Sequence, residues 1–161
     1  VTHDEKYTLA GGHGGNLCIY DNEKLQHIQT FEKIHEGSAK PKSAKSLIIL
    51  NQSGWIAAIA VSKNFQRIVT GGSDGIILVI DFGPEESLSY KLDQYQSNLI
   101  DKLKYLIALG WVNCVAVTPT KKNLIAVGSK DRTITLYAKD RTRVHQFTEA
   151  HSGKRSIIDI S

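Results

Sequence analysis

The feature that most constrains this chain is a repeat. The segment AGGHGGNLCIYD at residues 10–21 returns as TGGSDGIILVID at 70–81 and as VGSKDRTITLYA at 127–138. Each copy has a small residue and Gly, a polar tight turn, and an alternating apolar run that ends on a bulky side chain. A pattern repeated in this way describes a structural module used several times, not a site. Each copy reads as two strands joined by a hairpin, with Gly supplying the positive φ that such turns require.

The pattern extends upstream. Thr2, Ser62 and Thr118 each close an apolar strand and lead into a polar turn, and residues 2–21 align with 62–81 without a gap. Residues 56–62 and 112–118 form nearly continuous apolar runs with small residues at Ala60 and Ala116. Such runs suit strands covered on both faces, as between packed sheets. Residues 156–161 open a further copy in the same phase.

These residues resemble the WD-repeat β-propeller family. The resemblance covers nearly the whole chain and implies an all-β fold: a partial propeller of about three four-stranded blades. Its turn aspartate is matched by Asp74 and Asp131, its strand-ending Trp position by Tyr20, Ile80 and Tyr137, and its Gly-His histidine by His35 and His151. The resemblance implies structural roles for His35, His151, Asp74, Asp131, Tyr20 and Tyr137. In the family, a buried His–Asp–hydroxyl–indole network stiffens each blade, and no unit here holds the full set. The implied organisation is a partial blade at 1–35, a blade with a helical insert at 56–111, a blade at 112–151, and the first strand of a further or closing blade at 156–161.

Blades of this type recur every 40–45 residues or so, and the first two units exceed that by roughly 15 residues each. Both excesses are assigned to the connection between an outer strand and the next unit, which would bring them out beside the Gly-rich turns. The first opens as a basic loop with Lys40, Lys42 and Lys45, and residues 47–50 could add a short strand. In the second, Leu92, Tyr95, Leu99, Leu103 and Leu106 recur at three- and four-residue steps, which predicts a short amphipathic helix over 97–106. Three blades fall short of the usual 4–8 of a closed ring. The absence of Met in all 161 residues adds to an expectation that further blades come from a longer chain or a second one.

Chemistry is sparse. The glycines of 11–15 precede a strand, whereas a phosphate-binding loop leads into a helix. Cys18 and Cys114 lie in strand-like runs with no His/Cys spacing that suits zinc, and read as buried thiols in a reducing, intracellular compartment, cytoplasmic or nuclear. No apolar run reaches the roughly 18 residues of a membrane helix. The net charge of +4 permits an anionic partner without requiring one. No nucleophile–base–orienter set is found, so neither catalysis nor a cofactor or metal is expected.

The function expected is a non-catalytic scaffold that binds other proteins or peptides on loops held by rigid blades. The residues expected to meet a partner are Lys40, Lys42, Lys45, Trp55, Tyr95 and Trp111, with His13, Asp74, Lys130 and Arg132 from the turns. The alternatives are a propeller that binds RNA or a phosphorylated partner in a ribonucleoprotein or signalling assembly, and a propeller domain appended to an enzyme.

Overall fold

The computed structural model describes residues 1–35, 54–63, 67–81, 103–107, 110–118 and 124–148. They form three antiparallel sheets. The first holds β1 (Tyr7–Gly11), β2 (Leu17–Asp21) and β3 (Gln26–Phe31). The second holds β4 (Ile56–Val61), β5 (Arg67–Gly72), β6 (Ile76–Asp81) and β7 (Leu103–Ile107), and the third holds β8 (Val112–Val117), β9 (Ile125–Ser129), β10 (Ile134–Tyr137) and β11 (Arg143–Phe147). In each sheet consecutive strands are neighbours.

The three repeat-phase hydroxyls do the same local work. Thr2 Oγ1 accepts from Tyr7 N, Ser62 Oγ from Arg67 N, and Thr118 Oγ1 from Leu124 N, at 2.9, 3.0 and 2.9 Å. The backbone N–H of each donates back to the carbonyl of Tyr7, Arg67 and Leu124 respectively. A side-chain oxygen thus satisfies a donor that the turn would otherwise leave unpaired. The Gly-rich turns repeat as well. Gly15, Gly75 and Arg132 occupy one repeat position, with φ of 69°, 75° and 70°.

Alternation within the strands builds two inter-sheet cores. Leu17 and Ile19 of the first sheet pack with Ile56, Ile68, Leu78 and Ile80 of the second. Ile77 and Val79, one step out of phase with Leu78 and Ile80, pack with Val112, Val115, Ile125, Val127 and Tyr137 of the third. The middle sheet is therefore apolar on both faces, and β5 is buried throughout. Each fully buried Leu or Ile contributes roughly 1.5–3 kcal/mol. The all-β architecture with three sheets matches the reading of the sequence.

The helical insert does not. Leu103–Ile107 is β7, paired with β6 from Ile76↔Ile107 to Ile80↔Leu103. Residues 97–102 of the expected helix lie outside the described residues. The reason is the ladder that β6 offers: pairing with it satisfies backbone donors and acceptors that a helix there would leave open along β6. The pairing also places Asp81, which ends β6, and Leu103, which opens β7, at the end of the sheet opposite the Gly-rich turn between β5 and β6, not beside it as the sequence reading expected. The short strand expected at 47–50, and the opening strand at 156–161, lie outside the described residues.

A buried arginine ties the second sheet to the third. Arg67, 4% exposed, stands where the other repeats carry Tyr7 and Leu124. Its Nε donates to Asp81 Oδ1 at 2.5 Å, across the β5–β6 pair, and its Nη2 donates at 3.2 Å to the Lys139 carbonyl, in the turn that joins β10 to β11 of the third sheet. Removing one partner of a buried ion pair costs about 3–5 kcal/mol, and the Asp81 carboxylate is 35% exposed and keeps water. Arg67→Ala is therefore expected to lose about 2 kcal/mol, below that range. The midpoint of urea unfolding checks this, with Arg67→Met, which keeps the apolar stem, falling between the two.

Candidate functional site: a face shared by three sheets

At the end of the sheets that carries the Gly-rich turns, four side chains stand in a row. His13 meets Trp55 edge-on at 4.2 Å between ring centroids, Trp55 meets Trp111 edge-on at 6.0 Å, and Lys130 Nζ lies 3.9 Å above the Trp111 ring. Its members come from equivalent positions of the repeat. Trp55 and Trp111 each precede the first strand of a sheet, and His13 and Lys130 occupy one position of the Gly-rich turns.

Backbone bonds fix both tryptophans to the neighbouring turn. Ser73 N donates to the Trp55 carbonyl at 3.0 Å and Lys130 N to the Trp111 carbonyl at 2.8 Å. Ser73 Oγ also accepts from Trp55 N, and Ser129 Oγ donates to the Trp111 carbonyl. Trp55 is half-buried and Trp111 is 40% exposed.

Beneath the row lies a cleft of about 430 Å³, lined by Gly11, Gly12, His13, Trp55, Ile56, Ala57, Ser73, Trp111, Val112 and Asn113. Ala57 and Asn113 are equivalent bulge residues. The register of β4 on β5 jumps between Ile56 and Ala58, and that of β8 on β9 between Val112 and Cys114. A bulge leaves one residue outside the ladder and re-aims its side chain, and here both bulges fall on the cleft. In sequence Ala57 is indistinguishable from its apolar neighbours, whereas Asn113 is the one amide side chain of its strand.

Behind this face lies a buried polar network. His35 Nδ1 is 3.1 Å from both carboxylate oxygens of Asp74, and His35 Nε2 is 2.8 Å from Thr70 Oγ1. A carboxylate can only accept, so Nδ1 carries the hydrogen on that side. Asp74 Oδ1 also accepts from Ile76 N at 3.0 Å. The side chains of His35 and Asp74 are 0% and 2% exposed. A Cβ on Gly72 would collide with His35 Nδ1 and Asp74 Oδ1, so that glycine makes room for the network.

The network belongs to the second sheet. Val127 replaces the hydroxyl in the third, and Ala10 and Gly14 replace the hydroxyl and the acid in the first. Asp131 instead accepts from Thr133 N and Oγ1, at 3.0 and 2.7 Å.

The expected partner residues separate accordingly. His13, Trp55, Trp111 and Lys130 come together, and Arg132 is exposed on the turn of Lys130. Asp74 does not belong with them: its carboxylate is buried against His35, because an unpaired imidazole there would be costly. Lys40, Lys42, Lys45 and Tyr95 lie outside the described residues. Among the expected structural residues, Tyr137 is 8% exposed, and burial pushes its phenol above the usual range, opposed by Arg143. Tyr20 is 38% exposed and packs edge-on with His27, so it joins no buried network. His151 lies outside the described residues.

Among the described residues, no group of three or more His, Cys, Asp or Glu could hold a metal ion, and no helix is long and apolar enough to cross a membrane. Cys18 and Cys114 are in no disulfide, the first half-buried and the second buried.

Comparison with known proteins agrees with this architecture. The WD domain, G-beta repeat (WD40) profile matches residues 44–81 and 104–137. The protein transport protein sec13 of Aspergillus fumigatus is 34% identical over 85 residues, covering 52% of this chain and 24% of that protein. Protein HIRA of Zea mays is 40% identical over 57 residues, covering 33% of this chain and 6% of that one. The crystal structure of the RRP9 WD40 repeats superposes with a TM-score of 0.64 at 13% identity, covering 92% of this chain and 37% of that one. The chain spans about a quarter to a third of the sec13 proteins it matches. Repeated turns, sheets packed face to face and two profile matches agree: the chain carries WD40 repeats at two positions and has the fold of a WD-repeat β-propeller.

Proposed function

We propose that this chain is a non-catalytic protein-interaction platform, working inside the cell as part of a larger propeller. Its docking face is the end of the sheets that carries the Gly-rich turns. One observation supports the reading above the others: two tryptophans at the same repeat position stand side by side over one cleft, backbone-fixed, with Trp111 40% exposed. Large apolar rings left at a surface cost solvation unless a partner covers them, and Trp is enriched among the residues that dominate binding energy. The blades supply rigidity, so little ordering entropy is lost when a partner docks.

The test is quantitative binding with an identified partner. Proteins captured from the source extract are identified by mass spectrometry, and the complex is rebuilt from purified components. Trp111→Ala should weaken that complex by about 2 kcal/mol or more, roughly thirtyfold in Kd. Unchanged affinity in both Trp55→Ala and Trp111→Ala, with folding intact by circular dichroism, would remove this face from the reading.

A further inference from the structure

Given the reading of this cleft as a docking face, we propose that its occupant is an acidic peptide segment: one large apolar side chain flanked by carboxylates. The apolar half follows from the walls. Trp55, Ile56, Ala57, Trp111 and Val112 line a space of about 430 Å³, which admits a Phe- or Leu-sized side chain. The acidic half follows from the charges around it. Among the described residues, no Asp or Glu lines the cleft.

The two acids of the neighbouring turns are already engaged. Asp74 is buried on His35 and on Ile76 N, and Asp131 accepts twice from Thr133. The cation at the rim is Lys130. It is exposed, and among the described residues no carboxylate pairs with it. Its ammonium is held over Trp111 by the ring quadrupole. Arg132 adds a second exposed cation to that turn, at a φ of 70° where the equivalent turns carry Gly15 and Gly75.

These charges select among guests. A cationic side chain on the indoles would face the Lys130 ammonium, with no carboxylate among the described lining residues of the cleft to pair with it. A purely apolar guest would take water from the ammonium and return nothing. A carboxylate beside the apolar anchor pairs with an ammonium already in place, so little side-chain freedom is lost on binding. His13, edge-on to Trp55 at the other end of the row, offers a second polar contact.

The chain contains two tryptophans, and both stand at this cleft, so intrinsic fluorescence reports on the site itself. The probes are three blocked five-residue peptides, each with a central Phe flanked by Glu, Ser or Lys. The Glu peptide should change the fluorescence saturably and bind at least tenfold more tightly than the Ser or Lys peptide. Its affinity should fall as salt shortens the screening length from about 10 Å at 0.1 M to about 3 Å at 1 M. Lys130→Glu should reverse the order of the Glu and Lys peptides.

Equal binding of all three peptides, lost in Trp111→Ala, would overturn the acidic preference and leave the docking face standing. Failure of every peptide would overturn the proposed class of occupant, while the rebuilt complex would still decide the docking face separately. Tighter binding of a uridine oligonucleotide than of the Glu peptide would overturn it in favour of a nucleic acid.

Discussion

His35→Ala is expected to lower the unfolding free energy by about 3 kcal/mol, because it leaves a buried carboxylate and a buried hydroxyl without their imidazole partner. The substitution takes a donor from a carboxylate that is 2% exposed and a partner from the Thr70 hydroxyl, which is fully buried. Asp74 would keep its bond from Ile76 N, too little for a desolvated charge. Water entering the space left by the imidazole would lessen the cost, which keeps the estimate at the low end of about 3–5 kcal/mol. The check is the urea midpoint at constant slope, so that the change reports stability and not compactness.

Thr70→Val gives the smaller arm. It keeps the shape and orphans one imidazole nitrogen, so about 1–2 kcal/mol is expected. Asp74→Asn tests the charge, because an amide oxygen can still accept from Nδ1–H. Asn should therefore lose less than Ala at the same position. A loss under about 1 kcal/mol for His35→Ala would mean that apolar packing around the second sheet holds it without the network.

Gly71→Val is the second large effect, expected to cost 3 kcal/mol or more, at or above the roughly 1–3 kcal/mol typical of core overpacking. A Cβ at Gly71 would lie 2.9 Å from Val112 Cβ and 3.2 Å from Val115 Cγ1, with Val112 Cγ1 closer still. Those atoms belong to the inner strand of the next sheet, so relief would need the two sheets to separate. Gly11 stands in the same relation to Ile56, whose Cγ2 lies 2.6 Å from where a Cβ would be.

The contrast is Gly12→Ala, where an added Cβ meets nothing within 4 Å. That change should fall within about 0.5 kcal/mol of the parent. Thermal unfolding of the three proteins orders them, and Val112→Ala should restore part of what Gly71→Val loses. Lack of such rescue would place the cost in strand propensity and not in the contact between sheets.

These effects show how much of the molecule was legible beforehand. The phase of the repeat was, because it is local. Thr2, Ser62 and Thr118 each bond a backbone N–H five or six residues on, and Gly15 and Gly75 serve turns only a few residues long. That Leu17 shares a face with Ile19, and Ile77 with Val79, was legible too, since strand alternation has a period of two, but which sheet each face meets was not. Among the candidate site residues, His13, Trp55, Trp111 and Lys130 could be named singly. Their meeting in one row could not, because it depends on how far one sheet is rotated against the next.

By itself, then, the sequence determined the repeated strands, their turns and the residues that close them, all settled by contacts within about twenty positions of one another. The tertiary structure alone decided three things. Leu103 and Leu106 keep helical spacing, yet the open ladder of β6 makes them strand. Arg67 has the composition of a surface residue, yet a carbonyl 72 positions away draws its guanidinium into the join between two sheets. Ala57 and Asn113 sit in largely apolar runs whose pattern does not announce a bulge, yet both bulge onto the cleft. In each case the deciding partner lies on another strand or another sheet, and a pattern read along one strand carries no information about what will be packed against it.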